Sequence, residues 1–470
     1  MSRDPRDVAR IAELERQHEA DAARIAELEA KVAELEAKIA ELLALLKRNS
    51  SNSSRPPSSD GPGVGRRKLG RTGRARGGQK GHRGHERTLL PADRVVDHRP
   101  EACQRCEHPL TGDDPAPRVW QVIEIPVLKP DVTEHRAHSL TCENCGAITT
   151  ETLPVEVEQH GFGARASGIV AYLTGRCRLS KRQVSEILGD VFGVPMSTGA
   201  VCAVEQDVSA ALAGPADEAR EVAKRQEVAH LDETGWREEK RRAWLWTMVT
   251  PLVTVFTIAR SRGAKVAKEL LGEGFLGRLV TDRWSAYNWV EAARRQVCWA
   301  HLIRDFTGMV ERGGVGGRLA KLMLDEVGKM FEWWHRIRDG TMTHRGFQRK
   351  MKPIREEVGR LLLEAETSAE KKTAGMCKEI RKLEPALWTF VDVEGIEPTN
   401  NAAERAIRPA VLWRKGSFGT DSEAGSRFVE RILTTVSTLR QHNRNVIEYL
   451  ALACAQYRAH RTAPSLVPNP

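Results

Sequence analysis

No stretch of this 470-residue chain is apolar for long enough to cross a bilayer, and none opens it as a secretory signal would. The beginning, MSRDPRDVAR, is charged. The most apolar segment, residues 243–259, is interrupted by Pro251 and by Thr247, Thr250, Thr254 and Thr257, which suits a β-hairpin better than a membrane helix. Acidic residues are scarce in one place: between Arg66 and Arg87 a single Glu stands among nine Lys or Arg, interleaved with glycines that prevent helix formation. These absences predict a cytoplasmic protein with no membrane partner, in which disulfides are an unexpected use for nine cysteines. Over the whole chain, 73 basic against 63 acidic residues give a formal +10 and an isoelectric point near 9.2.

What is present includes a strand pattern. VAHLDETGWR, RAWLWTMVT and LVTVFTIAR read as three strands rich in Val, Thr, Trp and Phe and joined by short turns. GAKVAKELLGEG then has the period of a helix, GRLVTD that of a buried strand, SAYNWVEAARR of a helix and RQVCWAH of a last strand. The order β-β-β-α-β-α-β is the ribonuclease-H-like topology, with one carboxylate on the central first strand and a second at the end of the fourth. Asp232 and Asp282 fall at those places. Thr399 or Asn400 can cap a helix over NNAAERAIRPAV, which puts Glu404 in its first turns, where negative charge is favoured.

Read alone, each acid is a turn or capping residue, and Glu404 has Arg408 at i+4 as an ordinary ion-pair partner. Read together on a complete strand order, Asp232, Asp282 and Glu404 form a metal-dependent phosphoryl-transfer site. Two Mg²⁺ ions about 4 Å apart, with Mn²⁺ as the alternative, would activate a nucleophile and stabilise the leaving oxygen of a phosphodiester. Cys298 and His301 lie beside this site. In an extended segment residues three apart face opposite ways, so they make a clamp only if the chain turns at Trp299-Ala300; otherwise they are a buried thiol and a hydrogen-bonded imidazole.

Four other cysteines have metal spacing. Cys103-Gln-Arg-Cys106 and Cys142-Glu-Asn-Cys145 are two C-x-x-C knuckles, and WQVIEIPVLKPDVTEHRAHSL between them has strand character. Together they describe a zinc ribbon with one structural Zn²⁺ per chain. A redox motif would need a helix after the C-x-x-C, and neither knuckle precedes one.

Near the beginning Ile11, Leu14, Ile25, Leu28, Val32, Leu35, Ile39, Leu42 and Leu46 occupy a and d heptad positions, interrupted by His18 and Asp21. β-Branched a residues with Leu at d favour a parallel dimer, the alternative being one helix packed on its own domain. The SKRQVSEILGDVFGVPMSTGAVCAVEQDV segment reads as helix, turn at Gly193-Val194-Pro195, and helix capped by Ser197 or Thr198, a helix-turn-helix pattern also common in proteins that never touch DNA. Candidate phosphate contacts are Arg66, Arg67, Lys68, Arg71, Arg74 and Arg76 in the arm, Lys181 and Arg182 in the helical pair, and Arg405, Arg408, Arg414 and Lys415 along the Glu404 helix.

The expected organisation is multidomain α+β. A coiled-coil helix (8–47) leads through a Ser/Pro/Gly and basic linker (48–87) to the ribbon (88–160) and a helical DNA-binding region (161–225). The catalytic domain (226–302 and 396–440) follows, split by a helical insertion (303–395) anchored by Trp333, Trp334 and Trp388, and a last element covers 441–470.

LDETGWR, TDRWSAY, CWAHLIRDF and TNNAAERAIRPAVLWRKGSFGT, with SNSSRPPSSDG and GGQKGHRGH upstream, resemble the transposases of the bacterial insertion sequence 66 family over nearly the whole chain. The resemblance implies a DDE transposase that cuts double-stranded DNA at transposon ends and joins the 3′ hydroxyls to target DNA. It implies Asp232, Asp282 and Glu404 as the acids and Cys298 and His301 as a Cys-x-x-His motif after the fifth strand. The heptads predict a homodimer or higher oligomer and the absent signals a cytoplasmic protein with access to the nucleoid; whether other proteins of the element are required is left open by the sequence. A nuclease without strand transfer and a domesticated, non-enzymatic DNA-binding protein are the alternatives.

Overall fold

A computed structural model describes residues 5–46, 49, 53, 87–154, 157 and 160–468. Arg66, Arg67, Lys68, Arg71, Arg74 and Arg76 lie outside the described residues. The chain begins with one helix, α1 (Pro5–Leu46), whose Ala, Glu and Leu content favours it throughout. Neither His18 nor Asp21 breaks it. Lys31 reaches Glu27 at 3.3 Å on its polar side, while Ile25, Leu28, Val32, Leu35, Ile39 and Leu42 are exposed along one seam.

The knuckle region contains a short antiparallel hairpin, β1 (Ser139–Thr141) with β2 (Ile148–Thr150), closing around Cys142 and Cys145. Of the segment with strand character between the knuckles, only Ser139 and Leu140 join a ladder. Residues 111–138 have no ladder partner, and Pro126 and Pro130 withhold two donors.

Helices α2 (Ala164–Ala171), α3 (Lys181–Phe192), α4 (Thr198–Ala211) and α5 (Ala213–Lys224) follow, with a π-helical turn at Tyr172–Arg176. Ser180 and Gln183 form a capping box on α3, Gly193 ends it in the left-handed conformation at φ 65°, and Ser197 caps α4 through the Ala200 N–H.

Five strands make the central sheet: β3 (Val228–Glu238), β4 (Arg241–Val249), β5 (Thr254–Ala259), β6 (Arg278–Thr281) and β7 (Arg295–Val297), in the order β5-β4-β3-β6-β7. β3 is antiparallel to β4 and parallel to β6, and the β6 pairing stops at His230↔Val280. Helix α6 (Ala264–Leu271) connects β5 to β6. The helix expected over SAYNWVEAARR is replaced by two 3-10 turns, Ser285–Tyr287 and Ala292–Arg294. Side-chain ties explain the break: the Tyr287 hydroxyl donates to Glu233 at 2.6 Å, and Asn288 accepts from buried Arg295 at 3.0 Å. The last strand is also shorter than expected, ending at Val297 because Cys298 caps the next helix.

That helix, α7 (Trp299–Arg312), opens the helical insertion, which continues through α8 (Gly314–Arg338), α9 (His344–Glu366), α10 (Lys371–Arg381) and two short turns of helix, α11 (Glu384–Leu387) and α12 (Thr389–Asp392). Its core holds Trp299, Phe347, Trp388 and Phe390. Trp388 is buried as expected, whereas Trp333 and Trp334 only flank this core, with Lys350 and Arg336 lying over the Trp333 ring.

Helices α13 (Asn401–Ser417), α14 (Glu423–Gln441) and α15 (Val446–Arg458) complete the fold. α14 closes the edge of the sheet. The N–H groups of Thr254 and Phe256 on β5 donate to Thr438 and Thr434 at 3.1 and 3.0 Å, and that of Ile258 to Glu430. Alternate donors of a strand thus meet side chains four apart on a helix, and the unpaired edge is satisfied. The helices of 161–225 share one apolar core with the sheet and α14, to which Arg431 adds a bond to the Ser209 carbonyl at 2.9 Å.

Candidate active site

The three acids meet at the end of the sheet where β3 and β6 separate. Asp232 lies on β3 two residues past the last β6 pair, Asp282 directly follows β6, and Glu404 lies in the first turn of α13. Burial pushes the Asp232 carboxyl well above the usual carboxylate range, and the charges of Glu233, Asp282 and Glu404 push the same way. Asp282 Oδ1 accepts the Trp284 N–H at 2.9 Å, so the turn after β6 orients it. Buried Arg295 underlies that turn, with Nη2 3.4 Å from the Asp282 carbonyl.

Glu404 does not pair with Arg408 within ion-pair distance, contrary to the simple i+4 expectation. Its Oε1 instead lies 3.6 Å from His301 Nδ1 and 3.9 Å from Arg304 Nη2. The chain does turn at Trp299-Ala300: Cys298 is the N-cap of α7, and its carbonyl accepts the His301 N–H at 3.1 Å. Cys298, His301 and Glu404 therefore face one point, with ligand atoms all within 4.8 Å of one another. Burial and the neighbouring Arg304 charge push the His301 pKa down, and burial pushes the Cys298 thiol up to about 11.

Several site residues were not anticipated. Glu233, next to Asp232, has a side chain only 2% exposed and takes Arg262 Nε at 2.6 Å as well as the Tyr287 hydroxyl. Burial still raises its carboxyl above the ordinary value, so it is part of the acid cluster and not an inert neighbour. Arg262 is sandwiched between the rings of Trp244 and Trp284, at 5.0 and 4.3 Å. Asp305 is occupied by Arg283 Nε at 2.7 Å, beside Asp282. The doubled acid in LDET was the one sequence signal for Glu233; nothing local marks the others.

Asn400 caps α13 without a side-chain cap bond. Its side chain instead turns to β3, donating to the Leu231 carbonyl and meeting His230 Nδ1. Burial holds the His230 pKa down to about 4.

Among the proposed phosphate contacts, Arg182, Arg405, Arg408 and Lys415 are exposed. Lys181 is paired with Glu205. Arg414 Nη1 lies over Gly235 on β3, 3.2 Å from where a Cβ would stand, so glycine leaves it room.

Both knuckles are formed. In each, the residue four after the first cysteine, Glu107 or Gly146, has positive φ and returns its N–H to that cysteine's carbonyl, at 2.9 and 2.8 Å. The N–H groups of Arg105 and Cys106 hold the Cys103 thiol below its usual pKa, and those of Asn144 and Cys145 do the same for Cys142. The four thiols are not gathered: among the described residues the group with metal-ligand spacing is Cys298, His301 and Glu404. No described helix is long and apolar enough to cross a membrane.

A family model described as Transposase IS66 family matches residues 177–427, more than half of the chain and all of the acid site. A second, a family of unknown function named DUF6444, matches residues 4–88. The uncharacterized protein y4qI of Sinorhizobium fredii (strain NBRC 101917 / NGR234) is 27% identical over an alignment of 243 residues that covers 45% of this chain and 43% of that protein. The chain thus spans less than half the length of that relative. With the match running unbroken from the helical region through Asp232, Asp282 and Glu404, the chain belongs to the IS66 transposase family.

Proposed function

We propose that this protein is a DDE-type transposase, which binds transposon-end DNA, cleaves it and joins the 3′ ends to target DNA by metal-dependent phosphoryl transfer. The observation that carries the reading is the convergence on Asp232 of the like charges of Asp282 and Glu404, in a place where burial already disfavours charge. Such a cluster is stable when divalent cations neutralise it, and its oxygen-only donors fit Mg²⁺ or Mn²⁺. Asp232, Asp282 and Glu404 would hold two ions, which when bound supply activation of the attacking oxygen and stabilisation of the leaving one. The sheet order β5-β4-β3-β6-β7 supports a ribonuclease-H-like catalytic domain over 226–302 and 396–440.

The residues around the acids orient them. Tyr287 and Arg262 fix Glu233 behind Asp232, the Trp284 N–H fixes Asp282, and Asn400 fixes the helix of Glu404. Exposed Arg182, Arg405, Arg408 and Lys415 would neutralise phosphates without reading sequence. The exposed seam of α1 supports a homodimer, which would hold two transposon ends together. The two closed knuckles, each turning back on its first cysteine's carbonyl, support a zinc ribbon in which one Zn²⁺ per chain would draw together four thiols that stand apart without it. This reading places the protein in the cytoplasm at the nucleoid, working with or without accessory proteins of the element.

The test is a reaction of the full chain with end DNA and a target duplex in Mg²⁺. Cleaved 3′ ends and joined product are expected, and Asp232→Ala, Asp282→Ala and Glu404→Ala should each lose both by orders of magnitude while still binding DNA. Cleavage without joining would make the protein a nuclease; DNA binding with neither reaction would make it a non-enzymatic relative.

A further inference from the structure

The acid site has a second face made of different chemistry. His301 Nδ1 and Glu404 Oε1 are 3.6 Å apart, too far for a hydrogen bond, yet both atoms are shut off from solvent and neither has a hydrogen-bond partner. Two orphaned polar atoms facing each other are unfavourable unless something joins them. Bonds of about 2.0–2.3 Å at a tetrahedral angle leave ligand atoms roughly 3.3–3.8 Å apart, which is the spacing of this pair. Cys298 Sγ completes the group: one ligand atom from each of Cys298, His301 and Glu404 lies within 4.8 Å of the others. That sulfur accepts the Asn400 N–H at 3.1 Å and stands at the N-terminus of the 14-residue α7; burial keeps the free thiol protonated, so an ion bound there would displace its proton. Arg304, 3.9 Å from the same Glu404 oxygen, is the cation such an ion would have to displace.

We propose that Cys298, His301 and Glu404 form a site for a zinc-class ion, and that this ion competes with catalysis because it takes Glu404 away from Asp232 and Asp282. Sulfur, imidazole nitrogen and a single carboxylate select Zn²⁺ or Co²⁺ over Mg²⁺. Asp232 and Asp282 have no part in the trio. The competition rests on the proposed catalytic role of Glu404, whereas the binding itself does not. Zinc-loaded protein would be held inactive, and removal of that zinc would release Glu404 to the catalytic ions.

Cobalt substitution of the full-length protein tests the site without using activity. Metal-free wild type and Cys298→Ser are titrated with Co²⁺, and the thiolate-to-cobalt charge-transfer absorbance is read with elemental stoichiometry. The knuckle cysteines are common to both proteins, so the difference reports Cys298. Wild type should take up one equivalent more than the variant, with additional charge-transfer intensity. His301→Ala, which leaves the thiol in place, should also lose that equivalent and guards against misfolding of the serine variant. Equal stoichiometry and equal absorbance in all three proteins would overturn the site. For the competition, Mg²⁺-dependent cleavage is measured with and without added Zn²⁺: the ratio should collapse in wild type and stay near one in Cys298→Ser. An extra cobalt equivalent without zinc inhibition would refute the competition. Absence of any Mg²⁺-dependent cleavage would refute the catalytic reading while the cobalt difference still decides the site.

Discussion

Asn400 Nδ2 donates to the carbonyl of Leu231 at 2.7 Å, tying the residue before Asp232 to the cap of the helix that carries Glu404. The same side chain meets His230 Nδ1 at 3.2 Å, and the Asn400 N–H reaches Cys298 Sγ at 3.1 Å. With His230 neutral at physiological pH, its Nδ1 proton is the donor to Asn400 Oδ1. β3 loses its β6 partner after His230, so the Leu231 carbonyl has a side chain where a strand would otherwise be. One asparagine therefore fixes the separation of the first and third acids.

Asn400→Ala should leave that buried carbonyl unsatisfied and lower unfolding stability by about 1–3 kcal/mol in urea titrations. Cleavage should fall more than DNA binding, because the acids separate while the basic surface stays. Unchanged stability would show that water or a neighbour replaces the amide.

Asp232→Asn should inactivate the protein yet stabilise it in metal-free buffer. The Asp232 carboxyl is raised well above its unfolded value, so its favourable contribution is present at low pH and is lost as pH rises through the folded pKa. Removing the charge should raise the thermal midpoint at alkaline pH, and Mg²⁺ should then stabilise wild type more than the variant. A lower midpoint for the variant at alkaline pH would count against charge repulsion in the cluster.

Glu430 gives a separate pH signature away from the site. Burial pushes its carboxyl from 4.5 up to about 7, against Arg427 and the Ile258 N–H, which favour the charged form. The contribution of its neutral form is complete below pH 4.5 and is lost as pH rises to about 7, on the order of 3 kcal/mol over that window. Glu430→Gln should flatten the decline of thermal stability between those pH values, and a parallel curve would refute the assignment.

The knuckles should account for about one zinc per chain. Elemental analysis of the full chain is expected to show that equivalent disappearing in the Cys103→Ser, Cys142→Ser double variant. A zinc content that the double substitution leaves unchanged would rule out the ribbon.

Self-association should depend on α1. Leu28→Asp with Leu35→Asp places two charges on its exposed apolar seam, and sedimentation of the full chain should shift from dimer to monomer. A wild type that is monomeric, or a variant that stays dimeric, would move the interface elsewhere.

Neither Glu233 nor Asp305 can serve as an inert control for the acids. One is wedged between Arg262 and Tyr287, and the other holds Arg283 next to Asp282. Glu397, outside these contacts, is the better comparison.

The sequence by itself determined what repeats or caps locally. The heptads of α1, the two C-x-x-C turns, the five strand segments and the Ser197 cap depend on neighbours a few residues away, and their signals survive in one dimension. It also marked Asp232, Asp282 and Glu404, since a strand centre, a strand end and a first helical turn are local positions. Tertiary structure alone decided how those acids are held. Asn400 finds Leu231 across 169 residues, Tyr287 finds Glu233 across 54, and Glu404 faces His301 and Arg304 where the local pattern offered Arg408. The Tyr287–Glu233 tie also broke the expected helix at Ser285, whereas the last strand ends at Val297 because Cys298 caps the next helix. A side chain buried beside the sheet takes whatever partner the fold brings to it, and chain separation carries no trace of that choice.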